Sequence, residues 1–256
     1  MISCLTVTRE NKLPELVRAV DCFHRQTVAE KELVIVHDGS ARFDEALVDA
    51  ARRYRGDTIR VHRAPGENLT LGALRNVSLS LARGGLVCQW DDDDLYHPRR
   101  LEIQARELKE SRADFCFLTD QLHYFESTGE MFWDDWTVEG YPGKLIQGTI
   151  LGRADLIGRY QDLPRGEDTG IVADLVAGGC RLHGVPGRGY LYIYVFNGNN
   201  AWDLHHHAAI SAWKRLPGRR LLEHEAELRQ YLLDYTLPWD TVFMPHESGS
   251  IVIKSA

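Results

Sequence analysis

Four consecutive aspartates, Asp91-Asp92-Asp93-Asp94, are the residues in this chain best suited to chemistry. Adjacent carboxylates repel one another, so at least one must hold its proton more tightly unless a cation relieves the repulsion. A hard divalent ion with oxygen ligands is the simplest such cation. The alternative is a solvated acidic loop capping a helix that begins near Pro98. A second acidic pair, Glu167-Asp168, precedes a helical pattern through Ile171, Val172, Leu175 and Val176. On its position alone the pair reads as a helix cap that also offsets the helix dipole. Three adjacent histidines, His205 to His207, add further candidate metal ligands, although such histidines are more often solvated or bonded to carboxylates.

These residues need elements to hold them. The apolar run Leu86 to Trp90 follows Gly84-Gly85 and reads as a buried strand, so the aspartates fall at its carboxyl end. Ile2 to Thr8 is a first strand, and Leu13, Leu16, Val17 and Val20 recur at helical spacing, with Asn11 as N-cap and Pro14 in the first turn. The wholly apolar Leu33-Val34-Ile35-Val36 predicts a strand covered on both faces. A helix with Leu47, Val48, Ala51 and Tyr54 follows, then a strand over about Thr58 to His62 and a helix with Leu74, Val77 and Leu81. Beyond the aspartates come a helix with Leu101, Ala105 and Leu108 and a strand Phe115 to Leu118. Such alternation predicts a mostly parallel sheet with right-handed crossovers, helices on both faces and ligands at the carboxyl ends of the strands. Thr8-Arg9-Glu10-Asn11, Asp38-Gly39-Ser40 and the aspartates all lie at such ends.

After residue 120 the pattern becomes mixed. Leu122 to Phe125 and Met131 to Trp133 predict a hairpin turning at Gly129, and Gln147 to Leu151 another strand. Tyr190 to Phe196 is a strong strand, followed by a loop rich in Trp and His. A helical stretch from Leu221 to Leu233 and a closing hairpin from Thr241 to Ile253 complete the chain. The expected organisation is a domain over 1–213, with a ligand-binding half at 1–120 and a second half at 121–213, and a C-terminal extension at 214–256.

With 256 residues, 26% charged and 44% hydrophobic, the composition is that of a globular protein. No apolar run approaches a membrane span, and Met1 leads straight into a strand-like segment, so a cytoplasmic protein is expected. The five cysteines are scattered and mostly within apolar runs, which predicts reduced core residues. A net charge of −7 argues against a nucleic acid polymer as partner and leaves an anionic nucleotide dependent on a metal or on local basic residues.

Taken together the segments resemble the family 2 glycosyltransferases, inverting enzymes of the GT-A fold. Thr6 to Asn11 resembles the opening strand and loop of that family. Phe23-His24-Arg25-Gln26-Thr27 with Val34 to Ser40 resembles its "QT…ELIVVDDGS" element, with His37 where an aspartate is usual. Asn68 with Leu71 to Asn76 resembles "NxGxxxARN", Gln89 to Asp94 the DXD motif in its "xxDxDD" form, and Gly166-Glu167-Asp168 the "ED" that carries the base. The resemblance covers Ile2 to about Trp202.

It implies a metal-dependent transfer of a hexosyl group from a nucleoside-diphosphate sugar, a UDP-sugar by preference, to a hydroxyl acceptor in surface polysaccharide or glycoconjugate synthesis. Asp38 and Thr8 would then line the nucleotide pocket, Arg75 would reach the base or diphosphate, Asp91 the ribose or metal, and Asp93 the metal (Mn2+ or Mg2+). Asp92 and Asp94 stay open as alternatives, since the register of the run could slip by one. Asp168 would be the base, with Glu167 as its substitute. Relatives often place a metal-binding histidine after the late aromatic strand; here Asn197 stands near that position, and His205 is the candidate. The acceptor could be a glycan, a lipid-linked sugar or a small molecule. Lys214, Arg215, Arg219 and Arg220 form the most basic patch, which could meet a membrane at its inner face or pair with Glu223 and Glu225; a homodimer is also open. A non-catalytic nucleotide-sugar or glycan-binding module and a nucleotidyltransferase are the competing readings.

Overall fold

The computed structural model describes residues 1–54, 56 and 58–254. The chain begins β1 (Ile2–Thr8), α1 (Leu13–His24), β2 (Lys31–His37), α2 (Ala41–Ala51), β3 (Thr58–Arg63), α3 (Leu71–Leu81) and β4 (Leu86–Gln89). It continues with β5 (Leu95–Tyr96), α4 (Arg100–Ser111), β6 (Phe115–Leu118), β7 (Asp120–Phe125), β8 (Glu130–Asp135) and β9 (Leu151–Arg153). Next come α5 (Glu167–Ala177), β10 (Leu182–Val185), β11 (Tyr192–Phe196), α6 (Leu204–Lys214), α7 (Gly218–Glu223) and α8 (Glu225–Leu233). The hairpin of β12 (Thr241–His246) and β13 (Gly249–Lys254) ends the described chain.

The first sheet has seven strands in the order β10-β6-β9-β4-β1-β2-β3. Pairs β1/β2, β2/β3, β1/β4 and β6/β10 are parallel, and only the short β9 runs against its neighbours β4 and β6. Leu33, Val34, Ile35 and Val36 on β2 are all buried, as a strand covered on both faces requires. The second sheet has six strands in the order β13-β12-β8-β7-β11-β5 and is mixed, with β7/β8 and β12/β13 antiparallel but β7/β11 parallel. The C-terminal hairpin therefore extends this sheet, with β12 joined to β8 at Phe243 and Glu130. The main core fills the space between the two sheets, from Cys4 and Ile35 through Trp90 and Tyr96 to Leu122, Ile193 and Val242.

Several elements differ from the sequence expectation. Gln147 to Thr149 is a 3-10 turn, and the strand runs from Leu151 to Arg153. The histidines lie in α6 rather than in a loop, because Asp203 caps that helix by accepting from the His206 amide at 3.0 Å. The helical C-terminal stretch breaks at His224 into two short helices. Asn11 is not a cap: residues 10–12 form a 3-10 turn, and α1 starts at Leu13 without a side-chain cap. All five cysteines are free thiols, with Cys4, Cys88 and Cys116 buried. Among the described residues no helix is long and apolar enough to cross a membrane.

Candidate active site

The aspartates bridge the two sheets, and each end of the run is pinned. On the β4 side the Trp90 indole is fully buried, and its Nε1 donates to the Ala19 carbonyl at 3.0 Å, while Thr6 Oγ1 donates to the Trp90 carbonyl at 2.7 Å. On the β5 side Asp94 is buried and accepts from the Tyr192 hydroxyl and from the Val195 amide at 2.9 Å, which ties it to β11. Between these anchors burial alternates: Asp92 and Asp94 are buried, whereas Asp91 and Asp93 are half-buried. All four border one cavity of about 550 Å³, a size typical of small-molecule sites. Burial, with the neighbouring Asp93 charge, pushes the Asp92 carboxyl up to about 8. Burial likewise raises Asp93 and Asp94.

α3 holds the opposite wall. Gly72 packs so closely on the 161–163 segment that a Cβ there would lie 1.8 Å from the Gln161 carbonyl oxygen. Asn76 clamps the same segment, donating to the Tyr160 carbonyl at 2.9 Å and accepting from the Tyr160 amide at 2.8 Å. Asn68, just before the helix, takes a left-handed φ of 55°, a conformation asparagine tolerates better than most residues. Between Gly72 and Asn76, Arg75 is buried and donates from Nε to Glu167 Oε1 and from Nη2 to Asp91 Oδ1 at 2.7 Å. Gln89 Nε2 holds the other oxygen of Asp91 at 2.9 Å. Arg75 thus joins the two acidic centres, a different contact from the nucleotide one that the resemblance implies. An Arg75→Met variant should lose about 3–5 kcal/mol of stability, because it leaves Glu167 buried without its partner. Urea denaturation reads this directly, and an unchanged midpoint would mean that the bridge carries no net stability.

Glu167 also borders the cavity, but it is 1% exposed and its Oε1 is taken by Arg75. Asp168, one residue on at the start of α5, is half-buried and borders the cavity. Burial, reinforced by the charge of Glu167, pushes its carboxyl up to about 6. Thr8 also lines the cavity; its buried hydroxyl faces Asp92 and has no partner at full hydrogen-bond distance. Asp38 does not line it. Its Oδ2 accepts from the Leu69 amide at 2.7 Å and lies 3.7 Å from the Arg9 guanidinium, so Asp38 fixes Arg9, which does line the cavity. His205 is exposed on α6 and is not brought to the cavity. Its neighbour His206 is a cavity residue, while His207 is buried against His123 at 2.9 Å.

Sequence reasoning missed three features. Lys12 places its ammonium 2.9 Å from Asp93 Oδ2, and Asn200 donates to the same oxygen at 3.2 Å. At the mouth the Arg165 guanidinium sits 4.5 Å from the centre of the Trp202 ring, which stacks on His206 at 4.4 Å. The sequence signal for Asn200 was the Asn-rich stretch at the family's histidine position; Lys12 and Arg165 had none. The basic patch is largely paired within the protein: Lys214 with Glu139, Arg219 with Glu223 and Arg220 with Asp135, while Glu225 pairs instead with Arg229.

The donor set suits a hard divalent ion. Its oxygens are carboxylate; burial and mutual repulsion raise the proton affinities of Asp92, Asp93 and Asp94, and the Lys12 ammonium offsets this in part at Asp93 and Asp92. Among the described residues no three His, Cys, Asp or Glu side chains cluster to hold a metal by themselves. An ion held by one or two carboxylates together with substrate phosphates fits such a site.

A parallel sheet with an acidic run at the carboxyl end of its fourth strand, covered at that edge by a second mixed sheet, is the GT-A glycosyltransferase fold. The chain belongs to glycosyl transferase family 2, whose profile matches residues 4–157. It is 30% identical over 140 residues to EpsH of Bacillus subtilis, described as a glycosyltransferase; the match covers 52% of this chain and 39% of that protein. The S. aureus TarS fragment 1–349 bound to UDP-GlcNAc superposes with a TM-score of 0.62 at 15% identity, over 92% of this chain and 67% of that fragment. The mannosyltransferase PcManGT of Pyrobaculum calidifontis, in complex with GDP-Man and Mn2+, gives a TM-score of 0.58 at 14% identity, over 89% of this chain and 69% of that one. The chain spans less than half the length of the curated relatives EpsH and YwdF of Bacillus subtilis.

Proposed function

We propose that this protein is a metal-dependent, inverting glycosyltransferase that moves a hexosyl group from a nucleoside-diphosphate sugar, a UDP-sugar by preference, to a hydroxyl acceptor in surface polysaccharide or glycoconjugate synthesis. The observation that carries this reading is one cavity bordered by Asp91, Asp93 and Asp168 together, with Arg75 in the same lining joined to Asp91. Asp91 and Asp93 are the residues that would hold Mn2+ or Mg2+, whose charge would offset that developing on the departing diphosphate. Asp168 receives the proton of the acceptor hydroxyl as its oxygen bonds to the anomeric carbon and the bond to diphosphate breaks on the opposite face. A single displacement of this kind inverts the anomeric centre. A carboxyl raised to about 6 is mostly ionised at neutral pH yet basic enough to take that proton. The ligands of TarS and PcManGT, UDP-GlcNAc and GDP-Man, support the donor class, and the Mn2+ of PcManGT supports the ion.

The acceptor side lies by α6. His206 and Ile210 of this helix border the cavity, while its outer face exposes Leu204, Ala208, Ala212 and, 71% exposed, Trp213. Arg215, Arg219 and Arg220 are exposed just beyond it. An apolar face edged by arginines suits an acceptor presented at a membrane surface. The test is a thermal-shift screen of nucleotide sugars with Mn2+ or Mg2+, followed by NMR of the product anomer. A donor that binds the native state raises the melting temperature. Product that keeps the donor's anomeric configuration would overturn the inverting mechanism, and pyrophosphate release would point to a nucleotidyltransferase.

A further inference from the structure

Lys12 occupies an unusual place. It lies in the 3-10 turn between β1 and α1, is 9% exposed, and borders the cavity with Asp92 and Asp93. Its ammonium meets Asp93 Oδ2 at 2.9 Å, the carboxylate assigned above to the divalent ion. Two cations held on one carboxylate repel each other. Arg75 is locked between two carboxylates, but Lys12 contacts one, through a flexible four-carbon stem that lets the charge move while its backbone stays fixed. The place it would move to is the cavity it already borders, where an anionic diphosphate would lie.

We propose that Lys12 is an exchangeable counter-ion of Asp93: its ammonium holds the carboxylate in the nucleotide-free protein, gives way to the divalent ion, and passes to the diphosphate when the donor binds. This rests on the metal-dependent reading above and adds a control to it. Metal alone must displace Lys12 without compensation and binds weakly. Nucleotide gives the displaced ammonium a partner, so metal and nucleotide each strengthen the other's binding by the same factor. The turn that carries Lys12 thereby discriminates against a metal-loaded site with no donor in it.

The test is Mn2+ binding, followed by the EPR signal of free Mn2+, for wild type, Lys12→Met and Arg9→Met, each with and without UDP. Lys12→Met keeps most of the stem and removes the charge. Without nucleotide it is expected to bind Mn2+ roughly tenfold more tightly than wild type, the scale of relieving one partly screened repulsion. The enhancement of Mn2+ binding by UDP should shrink by a similar factor. Arg9→Met removes another cavity cation that does not touch Asp93, and it should leave Mn2+ affinity without nucleotide near wild type. Unchanged or weaker Mn2+ binding by Lys12→Met at a native melting temperature would overturn the exchange, as would an equal gain in Arg9→Met. No Mn2+ binding by wild type or Lys12→Met, even with UDP, would instead remove the metal-dependent reading itself and the exchange with it.

Discussion

An Asp168→Asn variant is expected to transfer sugar about 10²- to 10⁴-fold more slowly than wild type, the usual cost of losing a general base, with donor affinity little changed. Asparagine keeps the size of the side chain and cannot accept the acceptor's proton. It caps a helix about as well as aspartate, so a residue that merely supported the start of α5 would show nearly normal turnover and melting temperature. The pH profile gives an independent check. With the carboxyl raised to about 6, kcat/KM should climb as pH rises through that value, because only the ionised form can take a proton. In Asp168→Asn that acid limb should vanish from the residual activity. A normal rate in the variant would remove Asp168 from the mechanism. Glu167 is a poor substitute, since it is buried and already engaged by Arg75.

Asp93→Ala is expected to abolish measurable transfer and to weaken Mn2+-dependent donor binding, while binding of nucleotide in the presence of chelator should be no weaker than in wild type. The reasoning is electrostatic. A diphosphate entering a cavity bordered by four aspartates is repelled unless a cation stands between them, and the chain's net charge of −7 supplies no general attraction. Asp94→Ala should differ in kind. Asp94 accepts from Tyr192 and the Val195 amide, so its loss should lower the melting temperature through the β11 contact. Full activity of wild type after exhaustive chelation would defeat the role given to Asp93, and so would equal metal-dependent binding in Asp93→Ala.

The strand before the aspartates and the helix after Glu167-Asp168 were legible because each carries a regular apolar pattern. The same cannot hold for β5, whose two residues are too few to show any period. α6 was hidden for another reason. Its buried positions are His207, Ser211 and Lys214, which meet polar partners and form no apolar stripe. The acidic centres could be named from the sequence, but their linkage could not. Arg75 to Glu167 spans 92 positions, and no local pattern encodes a contact of that range. Lys12 was passed over because a lysine in a turn ordinarily faces solvent, whereas here the turn directs it inward. Asp38 and His205 have residue types that suit a ligand, and neither borders the cavity.

The five residues 90–94 between β4 and β5 carry the chain from one sheet to the other. Loops elsewhere on a surface absorb insertions cheaply, since closure entropy grows slowly with length. This crossing has no such slack, because Trp90 is held by β1 and α1 and Asp94 by β11. One residue added or removed would reverse the alternation and turn the outward carboxylates toward the core. The stretch therefore behaves as a fixed-length ruler, in which the number of residues is constrained as tightly as their side chains.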